Sequence, residues 1–169
     1  MSSVWPVQVA PLDASVSEEN AALVRSVYAA FNGLSPSAGV DAYVETHFHA
    51  DCEYLPIEEA SAVRGHGALA GWIERWFEAW EDAWDEILEV IASGPIVVAA
   101  IRVHGRGRKS GMEISQKLFD VHEIREGKIR RIREYLTREQ ALEAARLPFA
   151  TTPQLAREGL ERSRAFALA

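Results

Sequence analysis

Residues 96–136 read IVVAAIRVHGRGRKSGMEISQKLFDVHEIREGKIRRIREYL, and this stretch decides the fold. Ile96 to His104 is apolar and β-branched, and the glycine-rich loop Gly105–Gly111 ends it. Glu113 to Ile124 forms the next strand and Lys128 to Leu136 the one after. Glu126-Gly127 between them makes a tight hairpin turn. Upstream, Asp85 to Ser93 has period 2 and runs into a turn at Gly94-Pro95. Four consecutive strands joined by short links predict an antiparallel meander.

Upstream of that meander the period changes to 3.6. Leu69, Trp72, Ile73, Trp76, Phe77 and Trp80 form a stripe at helical spacing, with Glu74, Arg75, Glu78 and Glu81 opposite. The stripe reads as core, with some rings also free to line a ligand pocket. Ala50 to Pro56 predicts a short strand, and a short helix after Pro36 carries Val40, Tyr43, Val44 and His47. The first helix holds Leu23, Val24, Val27, Tyr28 and Phe31. Ser15 and Glu18 pattern as a capping box at its start, and Asn32-Gly33 closes it. Thr137 and Gln140 cap a helix after the last strand. The expected class is therefore α+β. A curved antiparallel sheet forms a cone (an α+β barrel) closed by N-terminal helices, with a helical C-terminal extension. The expected division is an arm over 1–14, one domain over 15–147 and an extension over 148–169.

The chain has 169 residues, a net charge of −7 and 48% hydrophobic residues, which suits one globular domain. An acidic surface repels phosphate backbones, so nucleic acid is not an expected partner. The longest strongly apolar run, Ile96 to Ile101, is too short to span a bilayer. No secretory signal is legible, and a cytoplasmic protein is expected. The single cysteine, Cys52, excludes an internal disulfide. His47, His49, Asp51, Cys52 and His66 straddle a helix end and a strand start, so their side chains need not converge, and no metal or cofactor is expected. The loop Gly105–Gly111 lacks the spacing of a phosphate-binding loop, so Arg106, Arg108 and Lys109 read as a solvated tip. With Arg125, Arg130, Arg131 and Arg133 they could form a basic patch.

Strand parity selects the chemical candidates. Val98, Ala100, Arg102 and His104 share one face of their strand, and both faces of that strand are largely apolar. A buried arginine needs a carboxylate. Glu134, between Ile132 and Leu136, offers one. Gln116, Leu118, Asp120, His122 and Ile124 share a face of the third strand. Arg102, His104, Asp120, His122 and Glu134 are thus expected to converge inside the sheet, a set suited to acid–base chemistry. A structural Arg102–Glu134 pair that ties strands together is the alternative. The expected pocket lining is Tyr28, Trp72, Trp76, Leu118, His122, Ile132 and Leu136.

Several segments taken in order resemble the SnoaL-like branch of the nuclear transport factor 2-like superfamily. They are Tyr28-Ala-Ala-Phe31-Asn32, His49-Ala-Asp51-Cys-Glu-Tyr54, Arg64-Gly65 at the tryptophan helix, and Glu126-Gly127-Lys128-Ile129 through Arg133-Glu134-Tyr135. The resemblance spans about residues 17 to 147 and implies a cone of curved sheet, often a homodimer, around a hydrophobic small-molecule pocket. The superfamily hosts isomerases, cyclases, dehydratases, epoxide hydrolases and non-enzymes. Against limonene epoxide hydrolases, Arg102 falls on the arginine of the acid–arginine–acid trio and Glu134 on one acid. His104 replaces the other acid, Tyr54 matches the water-positioning tyrosine, and Pro56 replaces an asparagine. Against steroid isomerases, Leu55 stands at the general base, Val27 at the helix-one tyrosine, and Asp120 roughly at the buried acid. The resemblance implies catalytic roles for Glu134 as base, His104 as acid, Arg102 as charge stabiliser, and Tyr54 and Asp120 as ligand hydrogen-bonders. Two readings stay open: a cofactor-free acid–base enzyme, and a non-catalytic ligand-binding or dimerisation domain.

Overall fold

The structure, a computed structural model, describes residues 14–35 and 38–146. Of the expected arm over 1–14, residues 1–13 lie outside the described residues and Ala14 opens the first helix; the expected extension over 148–169 also lies outside them. The elements in order are α1 (Ala14–Asn32), α2 (Val40–His47), β1 (Phe48–Leu55), β2 (Val63–Arg64), α3 (His66–Ala79), β3 (Trp80–Ser93), β4 (Ile96–Gly107), β5 (Glu113–Arg125), β6 (Lys128–Tyr135) and α4 (Arg138–Arg146).

The six strands form one curved, unclosed sheet in the order β2-β1-β6-β5-β4-β3. From β3 to β6 the meander is antiparallel, as the sequence predicts. The β5–β6 turn places Glu126 at φ 52° and Gly127 at φ 72°, the two positive angles that a two-residue hairpin of this kind requires. β1 joins β6 in parallel, a pairing the local pattern does not announce. Parallel neighbours need a long crossover, and the whole of β2 to β5 supplies it.

α1 packs across β3 and β4, and α3 lies against β1, β2 and β3. Val24, Val27, Val44, Leu69, Ile73 and Phe77 of these helices meet Val97, Ala99, Ile101 and Val103 of β4 in the main core. A smaller cluster occupies the other face of the sheet, where Val98, Ala100, Phe119 and Val121 meet Ala141 of α4. Gln140 N–H donates to Thr137 Oγ1 at 3.3 Å at the start of α4, the cap expected from sequence.

Three boundaries differ from expectation. Ser15 and Glu18 lie within α1, so they do not cap it. Trp80 belongs to β3, because the backbone is already extended there (φ −119°, ψ 139°) and its N–H closes the last helical turn on Trp76 O. Its ring nevertheless continues the line of Trp72 and Trp76, which is why it reads as helical in sequence. Finally, β4 runs on to Gly107, and Arg108 ties back to the end of α3 through its N–H to Ala79 O (2.9 Å) and its Nε to Phe77 O (3.0 Å). A cation satisfying helix C-terminal carbonyls is favourable, so Arg108 is more than a solvated tip.

Candidate functional site

A cavity of about 960 Å³ lies between the inner face of the sheet and the helices. Register explains its polar groups. Asp120 of β5 is the cross-strand partner of Glu134 of β6, and His122 partners Ile132. Alternation then turns Leu118, Asp120, His122, Ile132, Glu134 and Leu136 inward, and all of them line the cavity. Tyr28, Tyr54, Trp72 and Trp76 line it from the remaining walls.

Glu134 is held at both oxygens. The Tyr54 hydroxyl donates to Oε1, and the Ile57 backbone N–H donates to Oε2 at 2.8 Å. Burial pushes its carboxyl well above the ordinary range. The charges of Asp120 and Glu58 add to that push, and the two donors oppose it. Asp120 is 4% exposed and accepts the Tyr28 hydroxyl on Oδ2 at 2.5 Å, while its other oxygen has no partner among the described residues. Burial raises it to about 7 against the Tyr28 hydrogen bond, and Asp85 and Glu58 add repulsion. Both carboxyls open on the same cavity, and burial favours the protonated form of each.

The neighbouring groups stay uncharged. His122 is fully buried, and burial lowers it to about 4. Its Nδ1–H donates to Val97 O at 3.2 Å, which leaves Nε2 facing the Tyr28 hydroxyl at 3.3 Å. Tyr28 and Tyr54 are both raised well above 10 by burial and adjacent carboxylates, so they remain donors. Sequence comparison sets Val27 at the helix-one tyrosine place of steroid isomerases. In the fold it is Tyr28, one position on, whose hydroxyl reaches the buried acid.

Arg102 and His104 are not in this cavity. Val97, Ala99, Ile101 and Val103 form the inward face of β4, so Arg102 and His104 point to the opposite side of the sheet. There His104 stacks on Trp84 (4.4 Å between ring centres, 10° between planes), and its Nε2 meets Glu86 Oε2 at 3.0 Å. The Arg102 guanidinium donates to Ser115 Oγ at 3.4 Å. The expected convergence of Arg102, His104 and Glu134 fails, and no structural Arg102–Glu134 pair forms. The physical reason is that both faces of β4 are apolar, so hydrophobicity cannot assign parity. On the outer side β3 supplies a carboxylate to His104 through Glu86, and Arg102 is bonded to Ser115 of β5 instead.

Asp85 was not singled out in the sequence, yet it lines the cavity. Its backbone N–H and C=O are both clipped by the Asn32 side chain at 2.8 Å. Its carboxyl accepts no hydrogen bond from the described residues, and burial raises it to about 7, with His104 opposing. The signal existed, since Asp85 and Ile87 alternate inward. A register shift between Ile87 and Glu89 then breaks the pattern.

The remaining histidines and basic residues are occupied elsewhere. His49 Nδ1 meets Asp51 at 2.5 Å, and His66 Nε2–H donates to Phe48 O at 2.9 Å. His47 packs against the Tyr43 ring, and Cys52 is buried. No group of three or more His, Cys, Asp or Glu side chains among the described residues is arranged to hold a metal. Arg125 and Arg130 pair with Asp51, and Arg131 pairs with Glu53 and Glu123. The anticipated basic patch is therefore largely neutralised. No helix among the described residues is long and apolar enough to cross a membrane.

The description "SnoaL-like domain" belongs to the family model that matches residues 14–132. No match was found among curated proteins. Solved structures share the fold. An NTF2-like protein from Burkholderia xenovorans LB400 is 22% identical, with 76% of this chain and 97% of that one covered and a TM-score of 0.59. The epoxide hydrolase/cyclase-like enzyme SalBIII, with a role in pyran ring formation in polyether salinomycin, is 19% identical over 72% and 93% of the two chains (TM-score 0.60). An LEH-like epoxide hydrolase from M. tuberculosis is 16% identical over 90% and 96% (TM-score 0.58). At such identities the likeness is one of fold. With its family model spanning most of the described residues and its sheet and helices arranged as in these structures, this chain belongs to the SnoaL-like domain family.

Proposed function

We propose that this protein is a cofactor-free acid–base enzyme of hydrolase, isomerase or cyclase type, acting on a hydrophobic small molecule in the cavity. The observation that carries this reading is the pair Asp120 and Glu134, cross-strand partners whose carboxyls face one open apolar space. Glu134 accepts a donor on each oxygen; these two bonds fix its orientation and oppose the upward push of burial, which suits a base whose affinity for a proton is high. Asp120 has an oxygen without a partner among the described residues, open to the substrate for proton exchange. In an epoxide opening, Glu134 takes a proton from water as the water oxygen attacks carbon. The C–O bond breaks, and Asp120 protonates the departing oxygen. In an isomerisation the same pair removes a proton from one carbon and returns one to another. Tyr54 orients Glu134, and Tyr28 orients Asp120.

A volume of about 960 Å³ falls within the range of small-molecule sites, and its tryptophan and tyrosine walls suit an apolar substrate. The neighbours described as an epoxide hydrolase and an epoxide hydrolase/cyclase-like enzyme support the reaction class. The test is turnover of a panel of aryl and alkyl epoxides and β,γ-unsaturated ketones by the wild type and Glu134→Gln. The variant is expected to lose roughly 10²–10⁴ in kcat. A variant rate within twofold of wild type on every substrate turned over would contradict the assignment.

A further inference from the structure

We infer that the cavity takes its hydrophobic ligand as a cation, an ammonium group set against Asp85. This deepens the acid–base reading of the same cavity and rests on it. The inference begins with the sign of the interior. Asp85, Asp120 and Glu134 contribute three carboxyls, and no lysine or arginine among the described residues pairs with them. Arg75 and Lys109, the basic residues of the lining, are exposed at its mouth. His122 supplies no compensating charge, because burial keeps it neutral. The pair Asp120–Glu134 can relieve its repulsion by holding one proton. The Asp85 carboxyl accepts no hydrogen bond from the described residues, so a cation set against it would favour its ionised form over the proton that burial promotes.

A second, independent observation points to a missing partner. Asp120 is 4% exposed and leaves one oxygen with nothing to bond among the described residues. A buried polar atom in that condition is costly, and whatever fills the cavity must satisfy it. An ammonium donor answers both deficits, whereas a neutral or anionic ligand answers neither charge. The walls agree with a cation. Trp72 and Trp76 stack at 5.8 Å with 14° between planes, Trp76 and Trp80 follow at 5.5 Å, and Tyr54 meets Trp72 edge-on at 4.8 Å. Aromatic faces beside desolvated carboxylates hold an organic cation better than either feature does alone.

The experiment compares three probes of one shape and three charges: 4-phenylbutylamine, 4-phenylbutanol and 4-phenylbutyrate. Binding to the full chain is read by tryptophan fluorescence or calorimetry. At pH 8 the amine is expected to bind at least about tenfold tighter than the alcohol, with the carboxylate weakest. The amine keeps its charge well below its own pKa of about 10, so any change in preference between pH 5.5 and 8 belongs to the protein. The groups near Asp85 on the cavity side are Tyr28 and Tyr43 from the helices and Asp120 from β5, and the charge of His104 acts on it from the outer side of the sheet. The preference should widen as pH rises across that interval. Asp85→Asn should bring amine and alcohol within threefold, and Asp85→Glu should restore the gap. Alcohol binding as tight as amine, a preference that survives Asp85→Asn, or no binding by any of the three overturns the inference. Turnover by Glu134→Gln is a separate readout, so either reading can fall without the other.

Discussion

The two faces of the sheet carry similar side chains in opposite electrostatic states. On the outer face, ionisable groups are paired: His104 with Glu86, Arg138 with Glu89, Arg131 with Glu53 and Glu123. On the inner face, Asp85, Asp120 and Glu134 gather with two tyrosines and a neutral histidine, and no cation among the described residues pairs with them. Outer pairs are half-exposed and screened, and such pairs contribute about 0–1 kcal/mol. Inner groups are desolvated, so their proton affinities are displaced. Displaced titration marks a place where structure spends stability for chemistry. The comparison teaches that the presence of acids and bases on a strand is uninformative until the face is known.

The sharpest way to break this contrast is to mutate both sides and read turnover. Glu134→Gln and Asp120→Asn should each lower kcat by roughly 10²–10⁴, whereas His104→Ala and Arg102→Ala should stay within about threefold. Equal losses on the two faces would erase the distinction. Tyr54→Phe sharpens it further. Removing a donor that favours ionised Glu134 should move the acid limb of the pH profile to higher pH and cost about tenfold in kcat. An unshifted limb would mean that Tyr54 does not tune Glu134.

A stability measurement probes Asp85 alone. An acid held above its unfolded value binds its proton more tightly when folded, so its contribution to stability declines as pH rises from about 4 to about 7. Asp85→Asn should therefore raise Tm by roughly 3–6 °C at pH 8 and leave it nearly unchanged at pH 3.5. A Tm loss at pH 8 would mean that Asp85 has a stabilising partner. The smallest effect belongs outside: His104→Ala should cost under about 1 kcal/mol in denaturant melts, and added salt should shrink that cost.

Much of the fold was legible because period and turn chemistry act locally. Glu126-Gly127, the tryptophan stripe and Asn32-Gly33 each locate an element boundary or face from neighbouring residues alone. The parallel β1–β6 pairing was not legible, since it joins residues about 80 positions apart. Within the site, β5 and β6 announced Asp120, His122 and Glu134 through clean alternation with Leu118 and Ile132. β4 did not, because valine and alanine occupy both its faces and its second face is covered by α4. Tyr28 declared itself only as an apolar helix position, its hydroxyl partner lying 92 residues away. Asp85 stayed hidden because its strand slips register two residues later.

The central claim is that Asp120 and Glu134 share a proton on a desolvated inner face. The direct measurement is a pH titration of side-chain carboxyl carbons by ¹³C NMR on uniformly labelled protein, with assignments from Asp120→Asn and Glu134→Gln. The two resonances should titrate together, in separated steps displaced upward from the ordinary carboxylate range. Independent titration of Asp120 and Glu134 close to pH 4 would contradict the account.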